Sequence, residues 1–85
     1  MNYMTIQVPR PQNLQALYDR AKSDAQKHDI KWSGDMQQGH GSGFGFEGKY
    51  VVDESYITVT VVKRPLLVSK TRVQNEVRRY IAQTD

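Results

Sequence analysis

Residues 44–63 read Phe-Gly-Phe-Glu-Gly-Lys-Tyr-Val-Val-Asp-Glu-Ser-Tyr-Ile-Thr-Val-Thr-Val-Val-Lys, and this stretch decides the fold. Ile57, Val59 and Val61 alternate with Tyr56, Thr58 and Thr60, the period of a strand with one buried face. Upstream, Phe44, Phe46, Gly48, Tyr50 and Val52 share one face of another strand, and Gly45, Glu47, Lys49 and Val51 share the other. Asp53-Glu54-Ser55 joins the two runs as a short polar turn, so they form a hairpin.

Working outward, residues 4–8 (Met-Thr-Ile-Gln-Val) alternate as a short strand that Pro9 and Pro11 end. From Asn13 to His28, Leu14, Leu17, Tyr18, Ala21 and Ala25 make one stripe of an amphipathic helix, with Arg20 and Asp24 spaced to pair. A strand from Ile30 to Ser33 follows, then a turn at Gly34-Asp35. Residues 37–43 (Gln-Gln-Gly-His-Gly-Ser-Gly) are glycine-rich and predict a mobile loop. After Arg64-Pro65, Ser69 is placed to cap a last helix from Lys70 to about Gln83, with Val73, Val77, Tyr80 and Ile81 as its apolar stripe. The predicted order is β-α-β-β-β-α. Its simplest packing is a two-layer α+β domain, residues 1–85, with both helices on one face of an antiparallel sheet. Tyr56, Thr58, Thr60 and Val62 are the candidates for the open face, and that face or an edge strand offers room for a homodimer.

Eighty-five residues allow one small domain with a thin core, which excludes a second domain and disfavours an enclosed active site with its own lid. Lys and Arg number 12 against 9 Asp and Glu, a formal charge of +3 that suits anionic partners. With no cysteine there is no disulfide, thiolate metal site or thiol nucleophile. No leader peptide or membrane-spanning run is legible, so a cytoplasmic location is expected.

Gly43-Phe-Gly45-Phe-Glu-Gly48 spells G-x-G-x-x-G, but the dinucleotide-binding form needs a strand before it and a helix opening at it. Here a strand follows, so the match is spurious. The same stretch is similar to the aromatic motif of RNA-recognition domains, which stack bases on an open sheet. Ser42 replaces its leading basic residue, Glu47 an aliphatic and Lys49 the last aromatic, and the chain ends strand-then-helix instead of helix-then-strand. Phe44 and Phe46 are therefore expected to face the core. The alternative reading is an RNA or single-stranded nucleic-acid-binding domain using Phe44, Phe46, Lys49 and Tyr50.

His28 and His40, the two histidines, have no carboxylates at ligand spacing, so no metal or other cofactor is expected. No nucleophile stands beside a base and an orienting group, and the chain is read as non-enzymatic. Cations gather late, at Lys63, Arg64, Lys70, Arg72, Arg78 and Arg79, around the apolar segment Pro65-Leu66-Leu67-Val68. In one reading Leu66 and Leu67 plug the end of the core. In the other, Lys63, Arg64, Leu66, Leu67, Lys70 and Arg72 form an amphiphilic contact surface for a partner.

The chain also resembles the polyhydroxyalkanoic acid system protein family, small bacterial proteins encoded among genes for making and using a storage polymer. The resemblance runs through Ile6-Gln-Val8, the helix with Leu14 and Ala21, and Ile30-Lys-Trp32-Ser-Gly34-Asp35. It continues through the strand closing on Gly48, Ile57-Thr-Val59-Thr-Val61, Pro65-Leu66-Leu67, and the last helix with Val73, Val77 and Ile81. It implies association with the surface of polyhydroxyalkanoate granules or with a granule protein, and it brings no catalytic residues.

Overall fold

A computed structural model describes residues 3–83. The elements are β1 (Met4–Pro9), α1 (Leu14–Lys27), β2 (Lys31–Gly34), β3 (Gln38–Gly43), β4 (Phe46–Val52), β5 (Tyr56–Lys63) and α2 (Lys70–Ala82). The α+β architecture is the one the sequence predicts. Five strands form a single antiparallel sheet in the order β1-β5-β4-β3-β2.

The segment expected to be a mobile loop is β3, hydrogen-bonded to β2 on one side and β4 on the other. Its glycines recur every second residue, so Gly39, Gly41 and Gly43 all lie on the helix-side face. Close approach explains them: a Cβ at Gly39 would sit 2.5 Å from the Tyr50 hydroxyl, and one at Gly43 would sit 3.0 Å from Ile30. His40 and Ser42 take the open face, opposite Lys49 and Glu47 of β4.

Ile6 and Val8 of β1, Ile57 and Val61 of β5, Leu14 and Leu17 of α1, and Val73 and Ile81 of α2 form the buried core. Asn13 caps α1 by accepting from the Ala16 amide at 3.0 Å, and Ser69 caps α2 by accepting from the Arg72 amide at 3.1 Å. Asp35 and Asp53 close the turns β2–β3 and β4–β5 in the same way, each carboxylate accepting two backbone amides. Those amides hold both carboxyls below the usual aspartate range.

Because β1 and β2 are opposite edges, α1 crosses the sheet between them. It reaches β2 while α2 lies toward β1. Arg20 and Asp24 do not pair with each other as their spacing suggested. Arg20 donates to the Tyr80 carbonyl, Tyr80 donates its hydroxyl to Asp24, and the Arg20 guanidinium lies 4.0 Å from the Tyr80 ring centre. One tyrosine thus clasps the two helices. Burial, and then the bond to Asp24, push its phenol pKa up.

Candidate functional site: an apolar, basic end of the sheet

Strand register brings distant segments to one end of the molecule. Met4 pairs with Val61, Glu47 with Lys63, Gly43 with Phe46 and Lys31 with Ser42. The start of β1, the β3–β4 turn, the exit of β5 and the entry to β2 are therefore neighbours.

The β5–α2 connection is firmly held. Arg64 donates from Nε to the Val68 carbonyl at 3.0 Å, and the Val68 amide donates to the Pro65 carbonyl at 3.1 Å. This is a turn whose two central residues are Leu66 and Leu67. Val68 enters the core and the two leucines point away from it, 97% and 99% exposed. The plug expected of Leu66 and Leu67 is thus supplied by Val68. Pro65 also lies against the neighbouring turn, where a Cβ on Gly45 would meet it at 3.1 Å.

That neighbouring turn is Phe44-Gly45, a two-residue hairpin connection with both φ angles positive, +54° and +82°. Such a turn suits Asn-Gly, whereas a bulky first residue is strained there. Phe44 neither enters the core nor lies on a strand, contrary to the sequence reading. Phe44 is 70% exposed, and its ring meets His28 edge-on with centroids 6.3 Å apart. Tyr3, at the start of β1, is 56% exposed. Four of the six large hydrophobics that stand exposed among the described residues (Tyr3, Phe44, Leu66 and Leu67) therefore share this end. Scattered exposed leucines are ordinary, but a cluster on two adjoining turns marks a contact surface.

Charge is divided in the same direction. Lys27, Lys31, Lys63, Arg64, Lys70 and Arg72 lie at this end against Asp29 and Glu47, whereas Asp35, Asp53 and Glu54 occupy the turns of the opposite end, where Arg10 donates to the Asp53 carbonyl at 3.0 Å. Lys70 and Arg72 sit in the first turn of α2, which has no acidic residue. Cations there oppose the helix dipole, so folding stability does not account for them. Of the six residues predicted for the contact surface, Lys63, Leu66, Leu67, Lys70 and Arg72 are exposed together. Arg64 is half-buried and braces the loop instead. Tyr3 and Phe44 belong to the surface and were missed.

The residues of the nucleic-acid reading are not brought together. Phe46 packs against the core, and Tyr50 faces the helices, accepting from Trp32 Nε1 at 3.2 Å and donating to the Asp35 carbonyl. Lys49 points to the open face, and Phe44 is in the turn. Across that face runs a polar row, Thr5, Thr60, Lys49, His40 and Ser33, in register over all five strands. Among the described residues no group of three or more His, Asp or Glu is placed to hold a metal, and no helix is long and apolar enough to cross a membrane.

A second feature lies between the layers. Between the helices and the sheet a partly open cavity of about 650 Å3 remains. Gly41 and Gly48, paired across β3 and β4, lie in its floor, with Ala21 of α1 and Val77 of α2 in its walls. No family model matches the chain, and comparison with curated proteins and with solved structures likewise finds no match.

Proposed function

We propose that this protein is a non-catalytic binding module that docks, through the end carrying Phe44, Leu66 and Leu67, onto an apolar surface with an anionic coat. The polyhydroxyalkanoate granule surface, which the resemblance implies, is the partner of that chemistry. One observation carries the reading: two adjacent leucines stand almost fully exposed on a turn that is braced from beneath by Arg64, Val68 and Pro65. A held turn loses little conformational freedom on binding, so the apolar area it covers goes into affinity. The surrounding lysines and arginines steer the module toward anions and orient it leucines-first, in the manner of other interfacial anchors.

The test is binding of the native protein and of Lys70→Glu/Arg72→Glu to polyhydroxyalkanoate particles. Reversal of two exposed charges is expected to weaken binding and leave the melting temperature unchanged or somewhat higher, since acids in the first turn of α2 favour its dipole. Unchanged binding, or a large loss of stability, overturns the assignment.

A further inference from the structure

We infer that the cavity between the helices and the sheet is a binding site for a medium-chain aliphatic carboxylate, separate from the docking end. The cavity extends across strands β2, β3, β4 and β5. Three interstrand spacings make that about 14 Å, enough for an extended chain of about ten methylenes. Its volume of about 650 Å3 lies in the range of small-molecule sites, which are mostly apolar with few polar groups.

The room is made by the sequence. Gly41 and Gly48 are register partners that put no side chain on the helix-side face, and Ala21, one of the two alanines of the α1 stripe, lines the cavity with them. A core selected only for stability would fill these positions, because close packing is the rule in protein interiors. The Arg20–Tyr80–Asp24 clasp fixes the two helices and leaves the opening as it is.

The walls are hydrocarbon and aromatic edge. Trp32 is held edge-on between Tyr18 and Tyr50, with ring centroids 5.3 and 6.2 Å away. The Trp32 and Tyr50 polar groups are already engaged, since Trp32 donates to Tyr50 and Tyr50 donates to the Asp35 carbonyl. A ligand rich in hydrogen-bonding groups would find no partners there, whereas a methylene chain needs none. The charged residues at the lining are Lys49 of β4, whose register puts its side chain on the open face, and Glu76 and Arg79 of α2. Arg79 makes one contact with Glu76 through a single guanidinium nitrogen at 3.2 Å, and both side chains are well exposed. Its remaining donors are available to a carboxylate at the rim.

Trp32, the chain's one tryptophan, lines the cavity and reports its occupancy. Dodecanoate titrated into the native protein is expected to change Trp32 emission saturably at one equivalent, and a bromine-substituted dodecanoate is expected to quench it. Ala21→Phe should abolish the response with the circular dichroism spectrum retained. Arg79→Gln should weaken dodecanoate by roughly two- to fivefold and leave dodecanol unaffected, the size of one exposed ion pair. Leu66→Ser/Leu67→Ser should bind dodecanoate as the native chain does, which separates this site from the docking end. The inference is overturned by any of three results: no saturable response in the native protein, loss of the response in the leucine variant, or self-association of the native chain that shuts dodecanoate out. The bromine quenching needs no substitution, so the test stands even if Ala21→Phe fails to fold.

Discussion

Replacing Phe44 by Asn is expected to make the protein more stable and worse at binding. Phe44 adopts φ +54° at the first position of a two-residue hairpin turn. The left-handed conformation costs an ordinary residue about 1–2 kcal/mol, and asparagine much less. Against this relief stands the edge contact with His28, whose loss costs about 0.5 kcal/mol at so exposed a site. The balance favours the variant by about 0.5–1 kcal/mol, a rise of roughly 2–8 °C in melting temperature for a domain of this size. Binding moves the other way. Covering a ring that is 70% exposed contributes about 1–2 kcal/mol of the 1.5–3 available to a fully buried phenylalanine, so affinity for polymer particles falls roughly 5- to 30-fold. Thermal melts read the first effect and particle cosedimentation the second. A lower melting temperature, or unchanged binding, would show that Phe44 is kept for the fold.

The other predictions follow the same geometry. Leu66→Ser/Leu67→Ser removes two side chains that touch almost nothing in the free protein. Melting should be unchanged while binding to the particles drops roughly 10- to 150-fold, the equivalent of about half-burying each leucine on the surface. Ile6→Ala, at the one fully buried large side chain among the described residues, should cost about 2–5 kcal/mol in denaturant melts, and a smaller loss would mean the core collapses around the gap. Tyr80→Phe breaks the bond to Asp24 and should cost about 1 kcal/mol, with no change in secondary structure by circular dichroism. Stability should also be lost at both ends of the pH scale. Asp35 and Asp53 titrate lower in the folded chain than unfolded, so their contribution is present above about pH 4 and disappears as pH falls through the folded values. Tyr50 and Tyr80 titrate higher when folded, so theirs is complete below about pH 10 and disappears above it. An acid limb that persists in Asp35→Asn/Asp53→Asn would contradict the first assignment.

Much of the fold is legible along the chain because its signals are local. The β4–β5 hairpin shows in the alternation of Ile57, Val59 and Val61, and the two helices show in their stripes and in the caps Asn13 and Ser69. Strand β3 is not legible by the same rules, since glycine carries no hydropathy signal and scores as a breaker. Its period-two recurrence at Gly39, Gly41 and Gly43 was the available clue, and it becomes meaningful only once Tyr50 and Ile30 are known to press on that face. Phe44 was misplaced for a related reason: periodicity extends a strand through a turn that only backbone angles reveal. The leucine-and-cation surface could be suspected from Lys63 to Arg72 but not oriented. Whether Leu66 and Leu67 or Val68 would enter the core depends on the Pro65–Val68 turn. The separation of cations from acids appears only after the register sets the β3–β4 turn and the β4–β5 turn at opposite ends. The cavity is a further step removed, because it depends on how α1 and α2 lie over Gly41 and Gly48.

The central claim is that apolar contact at the docking end, steered by cations, holds the protein on its partner surface. Cosedimentation of the native protein with polyhydroxyalkanoate particles across a salt series, with RNA as competitor, tests it most directly. Binding is expected to weaken modestly as salt rises, survive at high salt and be indifferent to RNA, since apolar burial is not screened. Binding that vanishes with salt or is displaced by RNA, with the steep dependence of phosphate contacts, would contradict it and leave a general polyanion binder in its place.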